Sequence, residues 1–260
     1  MKKKVAVHKH ANKKSGFTLV ETAIAMGMVA VMISSFLVVF GPAIKGIEKS
    51  LSAKEADRLT SALELELTTI KNDDVYSSPI EKTYYWVRFT HEDSNFPVLV
   101  YQYRGDPDSV RTDGTLNPYP YNASNPGTPG VDYVIQTSVR RLNDTVDNSK
   151  IQAELVPGVL EGKVYYVKLL QLRTNSTDGS LEIPSNPWHV YNAGGASYTG
   201  DFSQFVDPVL AFRAQFYEVK PPLWSYINSA SFSVSDSGDA DSDPDALGKP
   251  VATKNMAVIR

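Results

Sequence analysis

Cysteine is absent from this chain of 260 residues, which excludes disulfide bonds and thiolate metal ligands. Histidine is scarce as well, and two of its four copies lie in the first sixteen residues. The other two, His91 and His189, have no partner at zinc-ligand spacing, so we expect no zinc site. A domain outside the cytoplasm would depend on its hydrophobic core alone, and the roughly 190 residues after the first predicted helix suffice for one.

Acidic residues are missing from the first sixteen positions, where six lysines stand. The lysines are Lys2, Lys3, Lys4, Lys9, Lys13 and Lys14. Removing these six from the 26 basic residues leaves 20 against 29 acidic residues, so the chain from Phe17 onward has a net charge near −9. Phosphate backbones are bound by clustered lysine and arginine, so this negative balance disfavours nucleic acid as a partner.

Recognisable catalytic motifs are missing too. There is no G-x-S-x-G nucleophile elbow, and the pair Gly194-Gly195 is followed by no lysine that would bind a phosphate. The sequence therefore predicts a protein that is not an enzyme.

What the chain does have is a long apolar run. From Thr22 to Ile44 there are 23 residues without a charge. A helix of that length spans roughly 34 Å, enough to cross a hydrocarbon core of ~30 Å. The lysines before it are expected to stay in the cytoplasm, which places the rest of the chain on the outer side.

The order of features around this run differs from that of a secretory signal peptide. There the small residues of the cleavage site follow the apolar region, whereas Ser15-Gly16 precedes it here. A cut after Gly16 would remove only the basic leader and leave the helix on the product. The acid Glu21 is a second anomaly, because a lone carboxylate costs roughly 2.5–3.5 kcal/mol at mid-bilayer unless something pairs with it.

Both anomalies fit a known family. The segment Gly16-Phe17-Thr18-Leu19-Val20-Glu21 resembles the prepilin motif of type IV pilins and type II secretion pseudopilins. The resemblance implies cleavage after Gly16 by a membrane-embedded prepilin peptidase, which would also N-methylate Phe17. In the assembled filament, the Glu21 carboxylate would pair with the Phe17 amine of a neighbouring subunit and so set the register of stacking.

The same resemblance implies a subunit held in the bacterial inner membrane by a single span, which then enters a pilus or pseudopilus. Its partners would be other pilin or pseudopilin subunits, the prepilin peptidase, the inner-membrane assembly platform and membrane lipid. The chain would comprise a cleaved leader (1–16), a membrane and assembly helix (17–44), an amphipathic outer half of that helix (45–72) and a β-rich domain outside the cytoplasm (73–260). The simpler alternative is a plain single-span anchor with an incidental Glu21.

After Lys45 the apolar residues keep a helical spacing. Leucine and isoleucine recur at intervals of three, four and eight, with charged residues between them. The pattern predicts one long helix over residues 17–70, ended by the polar runs Asn72 to Asp74 and Ser77 to Pro79.

A proline and a pair of serines lie inside this predicted helix. Pro42 predicts either a stretched or kinked turn around residues 38–46 or the point where the helix leaves the membrane. The hydroxyls of Ser34 and Ser35 are expected to bond back to carbonyl groups one turn earlier, and they need no further function.

Strand-like segments fill the rest of the chain. They are rich in aromatic and β-branched residues, or alternate between polar and apolar ones. The predicted strands are 84–90, 98–103, 131–142, 163–172 and 209–219, with 151–156 as a weaker candidate. Long loops at 104–130 and 173–207 are expected to carry subunit-specific contacts. The predicted fold class is α+β, an antiparallel sheet packed on the long helix, which is also the pilin-like arrangement that the resemblance implies.

An acidic run lies near the C-terminus. Asp239, Asp241 and Asp243 belong to five acids within ten residues and could wrap a calcium ion, as a C-terminal loop does in some major pseudopilins. An EF-hand match fails, because Pro244 and Pro250 stand where Gly and Glu are required. A solvated acidic loop is the simpler interpretation, and no other cofactor is expected.

The three tryptophans and 14 tyrosines are expected mainly in the core, with a surface for sugars or a peptide as the alternative. A mature length of 244 residues (260 − 16) and the long loops favour a minor subunit. Two other functions remain open. One is a membrane-anchored binding module outside the cytoplasm that never polymerises; the other is a DNA-uptake minor pilin, whose basic stripe would need Arg104, Arg111, Arg140 and Arg141.

Overall fold

The structure is a computed structural model. It describes residues 18–71, 74–90, 97–124, 126–142, 145–175, 178–186, 189–193, 195, 197–228 and 250–260. The chain divides into two compact units, Met1–Ser50 and Leu51–Arg260. Among the described residues, the second unit holds the sheet and the helices that pack on it.

The first helix, α1, runs from Leu19 to Thr68 without interruption. The predicted long helix is therefore confirmed, with ends within two residues of the expected ones. Pro42 lies inside it, and the helix continues on both sides of this residue. The apolar spacing in the second half of the helix produces a buried face, in which Leu59, Leu63 and Leu67 are completely buried.

The second helix, α2, spans Pro79–Phe89, where the sequence predicted a strand at 84–90. That prediction was wrong. The side chain of Ser78 caps the helix by accepting the Glu81 N–H at 3.3 Å, and Pro79 occupies the first helical positions. Proline and a preceding serine are typical of helix starts, so the run that was expected to end α1 instead begins α2. Of the aromatic residues that suggested a strand here, Tyr84 and Trp86 lie on the buried side of the helix, whereas Tyr85 and Phe89 are half-buried.

The strands confirm most of the predicted β segments. They are β1 Val98–Val110, β2 Leu116–Pro118, β3 Val134–Arg141, β4 Leu160–Gln171, β5 Arg173–Thr174, β6 Leu181–Glu182, β7 Val209–Val219 and β8 Ala252–Ile259. In the main sheet β1 pairs with β2, β3 and β4, and the order continues through β7 to β8. Every strand pair is antiparallel, as predicted. The expected loop at 104–130 is partly strand, because β1 extends to Val110 and pairs with β2.

Both faces of the sheet carry helices, whereas the sequence predicted one helix on one face. Alternate residues of a strand point to opposite faces. Val98 and Val100 of β1 join a core cluster with α1 and α2, and Leu99 and Tyr101 join a separate cluster with α3 and α4. These last helices are α3, Thr145–Glu154, and α4, Trp224–Ile227. The weak strand candidate at 151–156 was wrong, because α3 includes its first four residues.

Candidate functional site

The acid at the start of α1 lies in a helix-capping arrangement. The N–H of Glu21 donates to Thr18 Oγ1 at 3.3 Å, and Glu21 lies in the first helical turn with its side chain exposed. The pattern Thr-x-x-Glu is that of a capping box. This helix-start signal is present in the sequence, but the prepilin resemblance was explained without it. A negative charge at a helix N-terminus gains about 0.3–1 kcal/mol from the helix dipole. No side chain that the structure describes forms an ion pair with Glu21.

Glu21 is the one charged residue of the apolar stretch, Leu19–Ile44. The mean hydropathy of the stretch is 2.5, none of its described side chains is buried within the chain, and it is long and apolar enough to cross a membrane. Exposure this complete is rare in water, because contiguous apolar patches on soluble monomers are small. The stretch therefore needs a cover that the described part of the chain does not supply.

The hydroxyl groups of the apolar stretch bond within the helix. Thr22 Oγ1 donates to the Thr18 carbonyl at 2.9 Å, and Ser34 and Ser35 donate to the carbonyls of Ala30 and Val31 at 2.8 Å each. The expected back-bonding of the two serines is thus confirmed. A hydroxyl that is satisfied inside its own helix can enter hydrocarbon without leaving a polar group unpaired.

Several predicted site residues lie outside the described part of the chain. They are the cleavage and methylation positions Gly16 and Phe17, and the acidic residues Asp239, Asp241 and Asp243. Within the part that is described, no three metal-ligating side chains come together. His189 is described, and it stacks on the ring of Tyr198 with 3.9 Å between centroids.

The four arginines considered for DNA binding do not form an exposed basic stripe. Arg104 of β1 pairs with Glu161 of the neighbouring strand β4, and Arg111 and Arg140 both pair with Glu154. The guanidinium of Arg141 donates to the hydroxyl of Tyr76 at 2.8 Å. The charges of Arg104, Arg111 and Arg140 are neutralised by adjacent carboxylates and are therefore poorly placed to attract phosphate.

Arg140 is the centre of a buried polar network that sequence analysis did not foresee. Only 2% of its side chain is exposed, and it contacts Glu154 at 2.9 Å and Asp113 at 3.0 Å. The hydroxyl of Tyr101 donates to Glu154 at 2.6 Å. Lys150 reaches Asp113 at 2.5 Å. We refer to these five side chains as the Arg140 network. They join β1, β3, α3 and the turn before β2.

Electrostatics in the Arg140 network hold Tyr101 and Asp113 each in one protonation state. Burial raises the pKa of Tyr101 well above its usual value, and the nearby Glu154 charge raises it further. Burial alone would raise the pKa of Asp113, but bonds from Lys150 and Thr115 and the charge of Arg140 outweigh it and lower that pKa well below its usual range. Groups fixed in this way act as structural ties rather than as acids or bases near neutral pH.

A cavity of about 390 Å³ opens beside α2. It is lined by Val75, Tyr76, Glu81, Tyr85, Phe89 and Arg141. The rings of Tyr76, Tyr85 and Phe89 stack in sequence with centroid separations of 5.8 and 5.6 Å. An aromatic wall with one carboxylate and one guanidinium is a common composition for a ligand pocket.

Comparison of the chain with protein-family models, with curated proteins and with solved structures finds no match.

Proposed function

We propose that this chain is a prepilin-like structural subunit, processed at the inner membrane and assembled through α1 into a type IV pilus or a type II secretion pseudopilus. The observation that carries the proposal is the apolar stretch. Its described side chains are all exposed within the chain, and it has a single acid, Glu21, in its first turn. The lysine-rich leader and the Gly16-Phe17 junction precede it in the order that the prepilin motif requires.

The exposed stretch suits a protein that uses two successive environments. Lipid would cover Leu19–Ile44 before assembly, and helices of neighbouring copies would cover it afterwards. Helix packing away from water draws on close van der Waals contact and polar pairing rather than on hydrophobic transfer. A carboxylate that has no described partner in its own chain is available for such pairing.

Processing would supply the partner charge. Cleavage after Gly16 creates an amine at Phe17, four positions before Glu21. In an assembly of parallel helices, that amine of one copy would face the carboxylate of the next. Removing one member of a buried ion pair costs about 3–5 kcal/mol, so subunits would stack in the register where amine meets acid.

The α+β unit that follows is compatible with this role. The second half of α1 packs on an antiparallel sheet, which is the arrangement that the pilin resemblance implies. The chain adds α2 on the same face and α3 and α4 on the other. A globular unit enlarged in this way supports a minor subunit rather than the bulk component of a filament.

Two measurements test the proposal. Mass spectrometry of the mature protein is expected to find N-methyl-Phe17 as the first residue; an intact leader, or a cut beyond residue 40, would contradict processing. Glu21→Gln is expected to abolish incorporation into filaments while leaving membrane insertion intact. Glu64→Gln is the matched control, because Glu64 is an exposed acid on the same helix.

Engineered cysteines give a direct test of helix contact, because the native chain has none. A single cysteine at Ala23 or Ala30 is expected to form intermolecular crosslinks in assembling cells. Crosslinks that persist unchanged in the Glu21→Gln variant would argue against pairing through that acid.

The cavity beside α2 favours a second candidate, a membrane-anchored binding module that never polymerises. Such a module would need the apolar stretch as an anchor and the aromatic wall for its ligand. It predicts that Glu21→Gln has no effect on function, whereas Tyr85→Ala removes it. The opposite pair of results supports the prepilin-like subunit.

A further inference from the structure

Lys82, in α2, is a lysine with no exposed side-chain surface. Its ammonium nitrogen lies 2.8 Å from Glu66 Oε1, 2.9 Å from Asp74 Oδ2 and 3.1 Å from the carbonyl oxygen of Thr69. The ring of Trp86 lies 5.4 Å from the same nitrogen. Lysine is among the residues that are almost never fully buried unless they are paired. Here two carboxylates contact one ammonium group at a site that is largely shielded from water.

The carboxylates have a second cation beside them. Lys71 Nζ lies 2.5 Å from Glu66 Oε2, and the backbone N–H of Lys71 donates to Asp74 Oδ2 at 2.8 Å. The side chains of Glu66 and Asp74 are only 12% and 16% exposed. The group therefore holds two positive and two negative charges, and we refer to these four residues as the Lys82 site.

We propose that the Lys82 site forms an intramolecular amide bond between Lys82 Nζ and the side-chain carboxyl carbon of Asp74, with Glu66 as the proton carrier. The nucleophile and the carboxyl group are already in contact. Holding two reactants in place in this way replaces an encounter in solution and so lowers the entropic part of the barrier. The proposal does not depend on the function proposed above.

The reaction balances without any added reagent. A proton passes from the Lys82 ammonium to Asp74, which leaves a neutral amine and a neutral carboxylic acid; burial favours this exchange because it penalises separated charge. The amine lone pair then attacks the Asp74 carboxyl carbon and the C–N bond forms. Glu66 accepts the second amine proton and delivers it to the departing hydroxyl, so the C–O bond breaks and one water leaves.

The backbone around the site positions the carboxyl group. Asp74 Oδ2 lies 2.9 Å from Lys82 Nζ and accepts the Lys71 N–H at 2.8 Å, so this oxygen takes the first proton and leaves as water. When the amine adds, negative charge develops on the other carboxyl oxygen, Oδ1. After water departs, Oδ1 is the amide carbonyl oxygen.

Amide formation removes the buried charges of Lys82 and Asp74, and the two charges that remain in the site neutralise each other. Lys71 and Glu66 remain as a contacting ion pair. The new amide N–H has acceptors at hand in Glu66 and the Thr69 carbonyl. A neutral amide avoids the desolvation penalty that a buried ammonium and carboxylate carry.

A second buried lysine–aspartate contact serves as an internal control. Lys150 and Asp113 lie 2.5 Å apart, but Asp113 also accepts from the Arg140 guanidinium and from the backbone and hydroxyl of Thr115. These donors keep the carboxylate charged, so it does not become the neutral acid that amide formation requires. No guanidinium is within bonding distance of Asp74 among the described residues. The two contacts thus predict a bond at one place and none at the other.

Tryptic peptides of the purified full-length chain test the proposal. An unmodified Lys82 is cleaved by trypsin and gives the peptide 72–82. The amide bond blocks this cleavage, so the expected product is the peptide 72–88, lighter than its sequence by one water and containing a closed ring. Loss of water by cyclisation at an aspartate alone would leave Lys82 cleavable. A linear 72–82 peptide of full mass as the main product overturns the proposal.

Variants separate the roles of the groups. Asp74→Ala is expected to restore cleavage after Lys82 and the full mass. Glu66→Gln keeps the shape of the proton carrier and is expected to yield mostly uncrosslinked chain. Lys150→Arg is the matched control and is expected to leave the ring-containing peptide unchanged. If a variant does not fold, the wild-type digest alone decides the outcome. A ring-containing peptide in Asp74→Ala would contradict the assignment of Asp74 as the partner of Lys82.

Discussion

The two ends of α1 carry the same kind of side chain in opposite surroundings. In the apolar stretch, Leu19–Ile44, none of the side chains that the structure describes is buried within the chain. Further along the same helix, Leu59, Leu63 and Leu67 are completely buried against the sheet and α2. Both segments are regular helix. The difference therefore comes from what the rest of the chain offers as a cover, not from helix-forming tendency.

The charge pattern divides the helix in the same way. The first end has no charge from Thr22 to Ile44, so every face of it is apolar. The second end alternates leucine with charged residues, so one face is apolar and the other polar. A helix that is apolar on all sides needs lipid or other helices, whereas an amphipathic helix needs one partner surface.

The largest effect is expected from charging the apolar stretch. The double variant Val31→Asp and Ser35→Asp places two carboxylates near its middle, at about 2.5–3.5 kcal/mol each. We expect most of the protein to leave the membrane fraction on alkaline extraction. Leu65→Asp is the control, because Leu65 is already 67% exposed at the other end of α1. If the double variant and the parent were retained in the membrane equally, the apolar stretch would not be the part of α1 that lipid covers.

The second largest effect is expected from breaking the buried ion pairs of Arg140 in the unit Leu51–Arg260. Arg140→Ala would leave Glu154 and Asp113 buried with reduced compensation. Removing one member of a buried ion pair costs about 3–5 kcal/mol, so a large fall in the urea midpoint of the globular unit is expected. Lys254→Ala removes an exposed ion pair with Asp57 and should change stability by less than about 1 kcal/mol.

A smaller effect tests the packed end of α1 itself. Leu63→Ala removes a side chain with no exposed surface and should lower the free energy of unfolding by about 2–5 kcal/mol. Leu65→Ala, two residues on, removes an exposed leucine and should cost less than about 0.5 kcal/mol. Equal costs in a denaturant titration would show that the helix does not pack on the sheet in solution.

Much of this fold could be predicted from the sequence where the periodicity was strong. The long helix and the strands β1, β3, β4 and β7 were anticipated because each has a clear spacing of apolar residues. Helix α2 was missed because its run of tyrosine, tryptophan and valine suits a strand equally well. The serine and proline before it decided the outcome through capping, a local signal that outweighed composition.

The candidate sites were predictable only in part. Glu21 could be singled out because it is an isolated acid beside an apolar run. The Arg140 network and the Lys82 site could not be foreseen, because their members are separated in sequence and meet only when the sheet and helices pack. An arginine in a strand looks the same in sequence whether it points to solvent or to a buried carboxylate.

The smallest predicted effect is a change with pH in the Arg140 region. Burial, together with the Glu154 charge, raises the pKa of the neighbouring Tyr103 to about 12. Because the folded state holds this proton more tightly than the unfolded chain does, its contribution to stability is complete below about pH 10, the pKa of an unperturbed tyrosine. It is lost as the pH rises from about 10 to about 12.

Tyr103→Phe should therefore reduce the loss of stability between neutral pH and pH 11 by about 1.4 kcal/mol, the free energy of one pKa unit. The measurement is the difference between urea unfolding free energies at the two pH values, so a constant cost of the lost hydroxyl bonds cancels. Tyr198→Phe, at a half-exposed ring, is the control. An identical pH dependence in Tyr103→Phe and the parent would mean that this hydroxyl ionises as freely in the folded unit as in the unfolded chain. In that case the second unit would not shield its polar groups from water, and its contrast with the uncovered apolar stretch would lose its physical basis.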